Sequence, residues 1–172
     1  MKLALVLGLA LAAAIVLVAI IGAVLPRRHV VTRAARYRVP RAELYVILRA
    51  FEQTPTWRSG LRAVELLPAD ESQPRFRERS RHGDITYRVL EDRPAEKLVL
   101  EIADADLPFG GTWTFVLSEV PSGAELRITE HGEVKNVLFR FLARFVFGHT
   151  RTIETYLRDL GRNVGETIEP LP

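Results

Sequence analysis

The longest amphipathic pattern in the chain runs from about Asn136 to Val164. Leu138, Leu142, Phe145, His149, Ile153, Tyr156, Leu160 and Val164 recur at steps of three and four, which places them along one side of a helix. Arg140, Arg144, Arg151, Glu154, Arg158, Asp159 and Arg162 mostly fall off that stripe. An apolar stripe flanked by charge needs a broad apolar cover, and the preceding residues supply one as strands. Val30 to Val39 alternates as a first strand. Pro40 suits the first turn of a helix over Arg41 to Phe51, with Leu44, Ile47, Leu48 and Phe51 on one face. Pro55 ends it, and Trp57 sits in the connector as a core plug or a ligand contact.

Leu61 to Leu67 reads as a second strand, followed by a polar turn region from Pro68 to Pro74. Two hairpins come next. With Gly83-Asp84 as a two-residue turn, His82 pairs with Ile85, Ser80 with Tyr87 and Glu78 with Val89. Paired residues share a face, so Phe76, Ile85, Tyr87 and Val89 mark the inner side, and Glu78, Ser80 and His82 point the same way. Arg75, Arg77, Arg79 and Arg81 then form an outer stripe with Thr86 and Arg88, either solvated or docked on a membrane. An acid on an apolar strand face lies at an open rim, reflects a register slip, or is buried with a raised pKa. Lys97 to Ile102 adds a strand. A turn at Pro121-Ser122 pairs Leu117 with Leu126, Phe115 with Ile128 and Trp113 with Glu130. The strict two-residue period there is that of a sheet covered on one face.

The N-terminal run from Leu3 to Leu25 carries no charge and is long enough to cross a hydrocarbon core of about 30 Å as a helix. A cleaved signal peptide has a shorter apolar core of about 7–15 residues and a small-x-small site, and neither feature fits well. We therefore read residues 1–28 as a transmembrane anchor, 29–167 as one soluble domain and 168–172 as a frayed tail. Only Lys2 precedes the span, whereas Arg27, Arg28, Arg33, Arg36 and Arg38 follow it, which predicts a cytoplasmic domain. Those arginines can also touch anionic head groups.

The chain has 172 residues with a formal net charge of +3, but 21 acidic residues are interleaved with the basic ones, and no nucleic-acid motif is present. Nucleic acid is not an expected partner. The absence of cysteine excludes disulfides and thiolate zinc sites. His29, His82, His131 and His149 have no metal-ligand spacing, and no nucleophile elbow or phosphate-cradling glycine loop occurs, so neither metal nor cofactor is expected. Gly110-Gly111 opens a strand and serves a turn or bulge.

The order strand, helix, about six strands, long helix, with Trp57 after the first helix, resembles the START-like superfamily, also called SRPBCC, of the polyketide cyclase/dehydrase and lipid-transport type. The similarity includes Pro108-Phe109-Gly110-Gly111-Thr112-Trp113-Thr114-Phe115, Ile128-Thr129-Glu130-His131-Gly132-Glu133 and the run from Phe139 to Gly148. The resemblance implies an α+β helix-grip fold: a seven-stranded antiparallel sheet wrapped around a long C-terminal helix, with two short helices and an apolar cavity between sheet and helix. It carries over no catalytic set.

From Val137 to Phe147 the helix is apolar nearly all round, which implies covering loops, a bilayer-proximal entrance or a partner surface. Three functional classes follow. The first is a membrane-anchored binding or transfer module for a lipid, sterol-like or polyketide-like molecule, held by Phe76, Tyr87, Leu100, Trp113, Phe115, Phe145 and Tyr156. The second is an enzyme acting on such a ligand, with Glu78 or His149 as general acid or base and Tyr87 orienting the substrate. The third is an interaction protein whose interior is filled by its own side chains. His149 also reads as a core histidine or a ligand contact, and the oligomeric state is left open.

Overall fold

The computed structural model describes residues 2–148 and 150–172, without the side chains of residues 146 and 147. Helix α1 (Lys2–Val24) precedes strand β1 (Arg28–Tyr37), helix α2 (Arg41–Arg49) and a 3-10 segment (Phe51–Thr56). Strands β2 (Leu61–Asp70), β3 (Gln73–Ser80), β4 (Gly83–Arg93), β5 (Lys97–Ile102), β6 (Phe109–Val120) and β7 (Gly123–Val134) follow. Helix α3 (Val137–Leu142), a π-helical turn (Ala143–Phe147) and helix α4 (Arg151–Asn163) close the chain. The seven strands form one antiparallel sheet in the order β1-β7-β6-β5-β4-β3-β2.

The β6–β7 register is the expected one, with Trp113 opposite Glu130, Phe115 opposite Ile128 and Leu117 opposite Leu126. Gly111 has φ 132°, and a Cβ on it would collide with the His131 carbonyl, so the two backbones approach each other more closely there than any side chain allows.

The β3–β4 hairpin turns two residues earlier than expected. Ser80 pairs with Gly83, Glu78 with Ile85 and Phe76 with Tyr87, so Arg81 and His82 make the connection. The slip is by an even number of residues, which leaves every side chain on its expected face. His82 is the exception: it lies exposed in the turn and not on the inner face. The Pro68 to Pro74 region also differs, since the turn is only Glu71-Ser72, both at positive φ as a tight hairpin requires. Pro68 is tolerated because β2 is an edge strand, and Pro74 because it falls at the β2–β3 register shift.

The single helix expected from Asn136 to Val164 is broken. Gly148, at φ 71°, interrupts it, and only α4 lies in the grip of the sheet. The piece before the break has apolar residues on all sides and packs against the end of α1, with Gly22 buried against the Val137 carbonyl. On α4, Ile153, Tyr156, Leu157 and Leu160 face Tyr37, Leu44, Phe115, Leu126 and Ile128 in one buried cluster. Asp159 and Arg140, expected off the buried stripe, are buried as well. The chain end is tied down: Ile168 joins the core, and Leu171 exchanges two backbone hydrogen bonds with Ala34.

Tyr37 couples the sheet to α4, its buried hydroxyl donating to the Leu157 carbonyl at 2.9 Å. Tyr37→Phe should lower stability by about 1 kcal/mol, the net worth of such a bond, as a shift in the urea midpoint with unchanged m.

Candidate functional site

The inner faces of β3, β4, β5 and β6 converge on α4 through rings. Phe76 stacks on Phe51 at 4.0 Å and on Tyr87 at 5.3 Å between centroids. Tyr156 of α4 sits edge-on to Trp57 at 5.3 Å and Trp113 at 5.9 Å, and 5.6 Å from Phe115. Leu100 completes this wall. Phe76, Tyr87, Leu100, Trp113, Phe115 and Tyr156, six of the seven residues expected to line a cavity, are thus brought together. Phe145 is not. It belongs to the π-helical turn that precedes Gly148, is 60% exposed and packs on Phe141. His149 lies outside the described residues.

The enclosed space among these rings is about 20 Å³, room for roughly one water. The rings interlock across it, so among the described residues this wall does not enclose the capacious cavity expected from the sequence. Against the same wall lies an open groove of about 540 Å³ lined by Ser59, His82, Arg151, Thr155 and Asp159 among others. Arg58 and Tyr156 line both spaces, with the guanidinium 5.1 Å from the centre of the phenol ring. These two side chains are the partition between interior and groove.

Glu78 is buried, not at a rim. Its carboxylate accepts from Arg58 Nη1 at 2.5 Å, and its side chain is 9% exposed. Burial pushes the Glu78 carboxyl above the usual carboxylate range, while the Arg58 charge pulls the other way. Burial likewise raises the Tyr87 and Tyr156 hydroxyls. The connector carrying Arg58 is held from the other side by Asp159, which accepts from Ser59 N and Oγ, both at 2.7 Å, and pairs with Arg162. Trp57 Nε1 is buried without a hydrogen-bond partner among the described residues.

Sequence reasoning misses Arg58 and Asp159. A carboxylate placed inside an apolar face does call for a cation, but nothing in the periodicity shows that the connector after Trp57 supplies it.

No family model matches this sequence, and no curated protein matches it. Solved structures do. The di-domain ARO/CYC StfQ from the steffimycin biosynthetic pathway superposes with a TM-score of 0.64 at 12% identity, over 80% of this chain and 52% of that one. The chain therefore spans about half the length of that protein. Norcoclaurine synthase from Thalictrum flavum gives 0.63 at 8% identity, over 81% and 87% of the two chains. A START superfamily protein from Mycobacterium smegmatis gives 0.60 at 19% identity, over 80% and 97%. Together with the strand order and the gripped helix, these likenesses define the START-like, or SRPBCC, helix-grip fold. One long apolar helix precedes it, and at these identities the fold is what is shared.

Proposed function

We propose that the chain is a membrane-tethered module that binds a hydrophobic small molecule bearing polar groups, of lipid, sterol-like or polyketide-like character. The observation that carries this reading is the seam of Arg58, Glu78, Tyr87 and Tyr156, where an aromatic interior meets an open groove. An apolar moiety would enter by displacing the Tyr156–Arg58 partition and gain affinity from the area it removes from water. Its polar end would stay in the groove, near Arg151 and Thr155. The ARO/CYC StfQ and norcoclaurine synthase structures have the same fold and support a small organic ligand.

Helix α1 supports the tether. It is exposed along nearly its whole length, which suits lipid better than water, and its end is held by α3 and by Arg140. A cleaved leader would forfeit those contacts. With the arginines on its C-terminal flank, the domain would face the cytoplasm.

The position of Glu78, buried beside Arg58 and the Tyr87 and Tyr156 rings, favours a second reading in which the bound molecule also reacts, with Glu78 as general acid or base. The full chain, purified in mild detergent and analysed by mass spectrometry, should carry a stoichiometric small organic molecule. Glu78→Gln should keep that molecule under the binding reading and abolish its turnover under the enzymatic one. A chain that carries no guest and takes up none from a cell extract would instead act by protein contact, as its closed interior of about 20 Å³ favours.

A further inference from the structure

A second site lies where the anchor meets the domain. We propose that this junction binds the phosphate head group of an anionic phospholipid.

A space of about 260 Å³ opens between the end of α1, the start of β1 and α3, lined by Leu25, Pro26, Arg28, His29, Arg140 and Arg144 among others. Among the described residues no carboxylate lines it, and the acid beside its lining His29, Glu130, is hydrogen-bonded to that histidine at 3.2 Å. Elsewhere most arginines near acids are paired, as with Arg33 and Glu154, Arg79 and Glu65, or Arg88 and Glu101. Arg28, Arg140 and Arg144, and Arg27 beside them, form no ion pair among the described residues.

Arg140 makes this a built site. It is only 6% exposed, and its Nη1 donates to the carbonyls of Ala23 at 3.3 Å and Leu25 at 3.0 Å. The guanidinium thus caps the carbonyl end of α1, the negative pole of that helix. Its Nε is buried and has no partner among the described residues. A buried cation whose partners are neutral carbonyls and which has a donor to spare calls for an anion.

The depth of the site selects the source of that anion. Helix α1 has 23 residues, about 35 Å of rise, so a crossing helix brings Leu25 and Pro26 to the level of the head groups. Leu138, Phe139 and Phe145 present exposed apolar surface from the segment packed beside it, ready for the acyl boundary. An arginine pocket at that level has the chemistry of an anionic-lipid site. The inference rests on the retained anchor and not on binding in the interior.

The test uses the full chain in neutral detergent, titrated with phosphatidylglycerol or phosphatidylcholine and read by native mass spectrometry. Phosphatidylglycerol should bind at least tenfold more tightly, and Arg28→Gln/Arg144→Gln should cut its affinity by roughly tenfold to thirtyfold. Arg62→Gln/Arg81→Gln, which removes the same charge from exposed positions away from the junction, should leave the preference intact. Equal binding of the two lipids, a preference kept by the junction variant, or a preference lost equally in both variants would overturn the proposal. Inorganic phosphate competing as well as the lipid would overturn the lipid assignment. The intact mass in the same spectra reports separately whether residues 2–25 are retained.

Discussion

Arg58→Met should destabilise the fold by about 3 kcal/mol at neutral pH, and by much less as the pH falls toward the ordinary carboxylate range. Among the described residues, Arg58 alone hydrogen-bonds and ion-pairs with the Glu78 carboxylate, at 2.5 Å, in a wall otherwise made mostly of rings and leucines. Without it an ionised carboxylate is stranded in apolar surroundings. The sign of the pH effect follows from the direction of the shift. The Glu78 carboxyl already binds its proton more tightly folded than unfolded, and loss of Arg58 pushes it further up. Such a group contributes stability that is complete below its unfolded pKa and is lost as the pH rises through the folded one. The deficit of the variant is therefore largest at neutral pH and closes on acidification. Glu78→Gln removes this pH dependence, and Arg58→Met/Glu78→Leu recovers most of the loss, because the pair as a whole can be replaced by apolar volume. Urea unfolding from neutral pH to about pH 4, followed by tryptophan emission, measures all three. A deficit of Arg58→Met that stays constant with pH would mean that Glu78 is not confined by burial.

The same pair marks how far the pattern of residues can be read. Alternation in Thr112 to Ser118 and in Ala124 to Thr129 is enough to place Trp113, Phe115, Leu126 and Ile128 inward and to set their register, because one face is covered and a single-residue slip would invert it. It is also enough to put Glu78 inside, even though the β3–β4 turn falls two residues away from its expected place. Periodicity fails at Gly148. The three-and-four spacing from Leu138 to Val164 continues through a residue that takes a left-handed conformation, so two segments with different partners look like one. The all-round apolar character of Val137 to Phe147 is the trace of that change of partner, from sheet to helix α1. Cavity volume is not legible at all. Inward residues alternate in the same way whether their rings interlock or leave a void. Arg58, Arg140 and Asp159 escape for a related reason: each works from a position that pattern assigns to solvent, and only the packing of distant segments turns it inward.

Tyr156→Ala should cost about 3–5 kcal/mol and, in exchange, give the protein an interior that a small aromatic molecule can enter. The Tyr156 ring touches Trp57, Trp113 and Phe115, stacks under Arg58, and forms part of both the closed interior and the open groove. Removing it leaves a space the size of a phenol, walled by Trp57, Trp113 and Phe115 and open to the groove on the Arg58 side, which accepts a guest of its own shape. Saturating benzene should then raise the melting temperature of the variant by about 3 °C while leaving the native protein and Tyr156→Phe unmoved. The near-ultraviolet signal of Trp57 and Trp113, the two tryptophans of the chain, should change on binding, since both lie against the vacated position. A single cooperative transition in Tyr156→Ala, with benzene bound one per chain, would establish that a guest needs only this ring to move. A variant that unfolds cooperatively but ignores benzene would mean that the neighbouring rings collapse into the gap. The partition of Tyr156 and Arg58 would then be a wall and not a door.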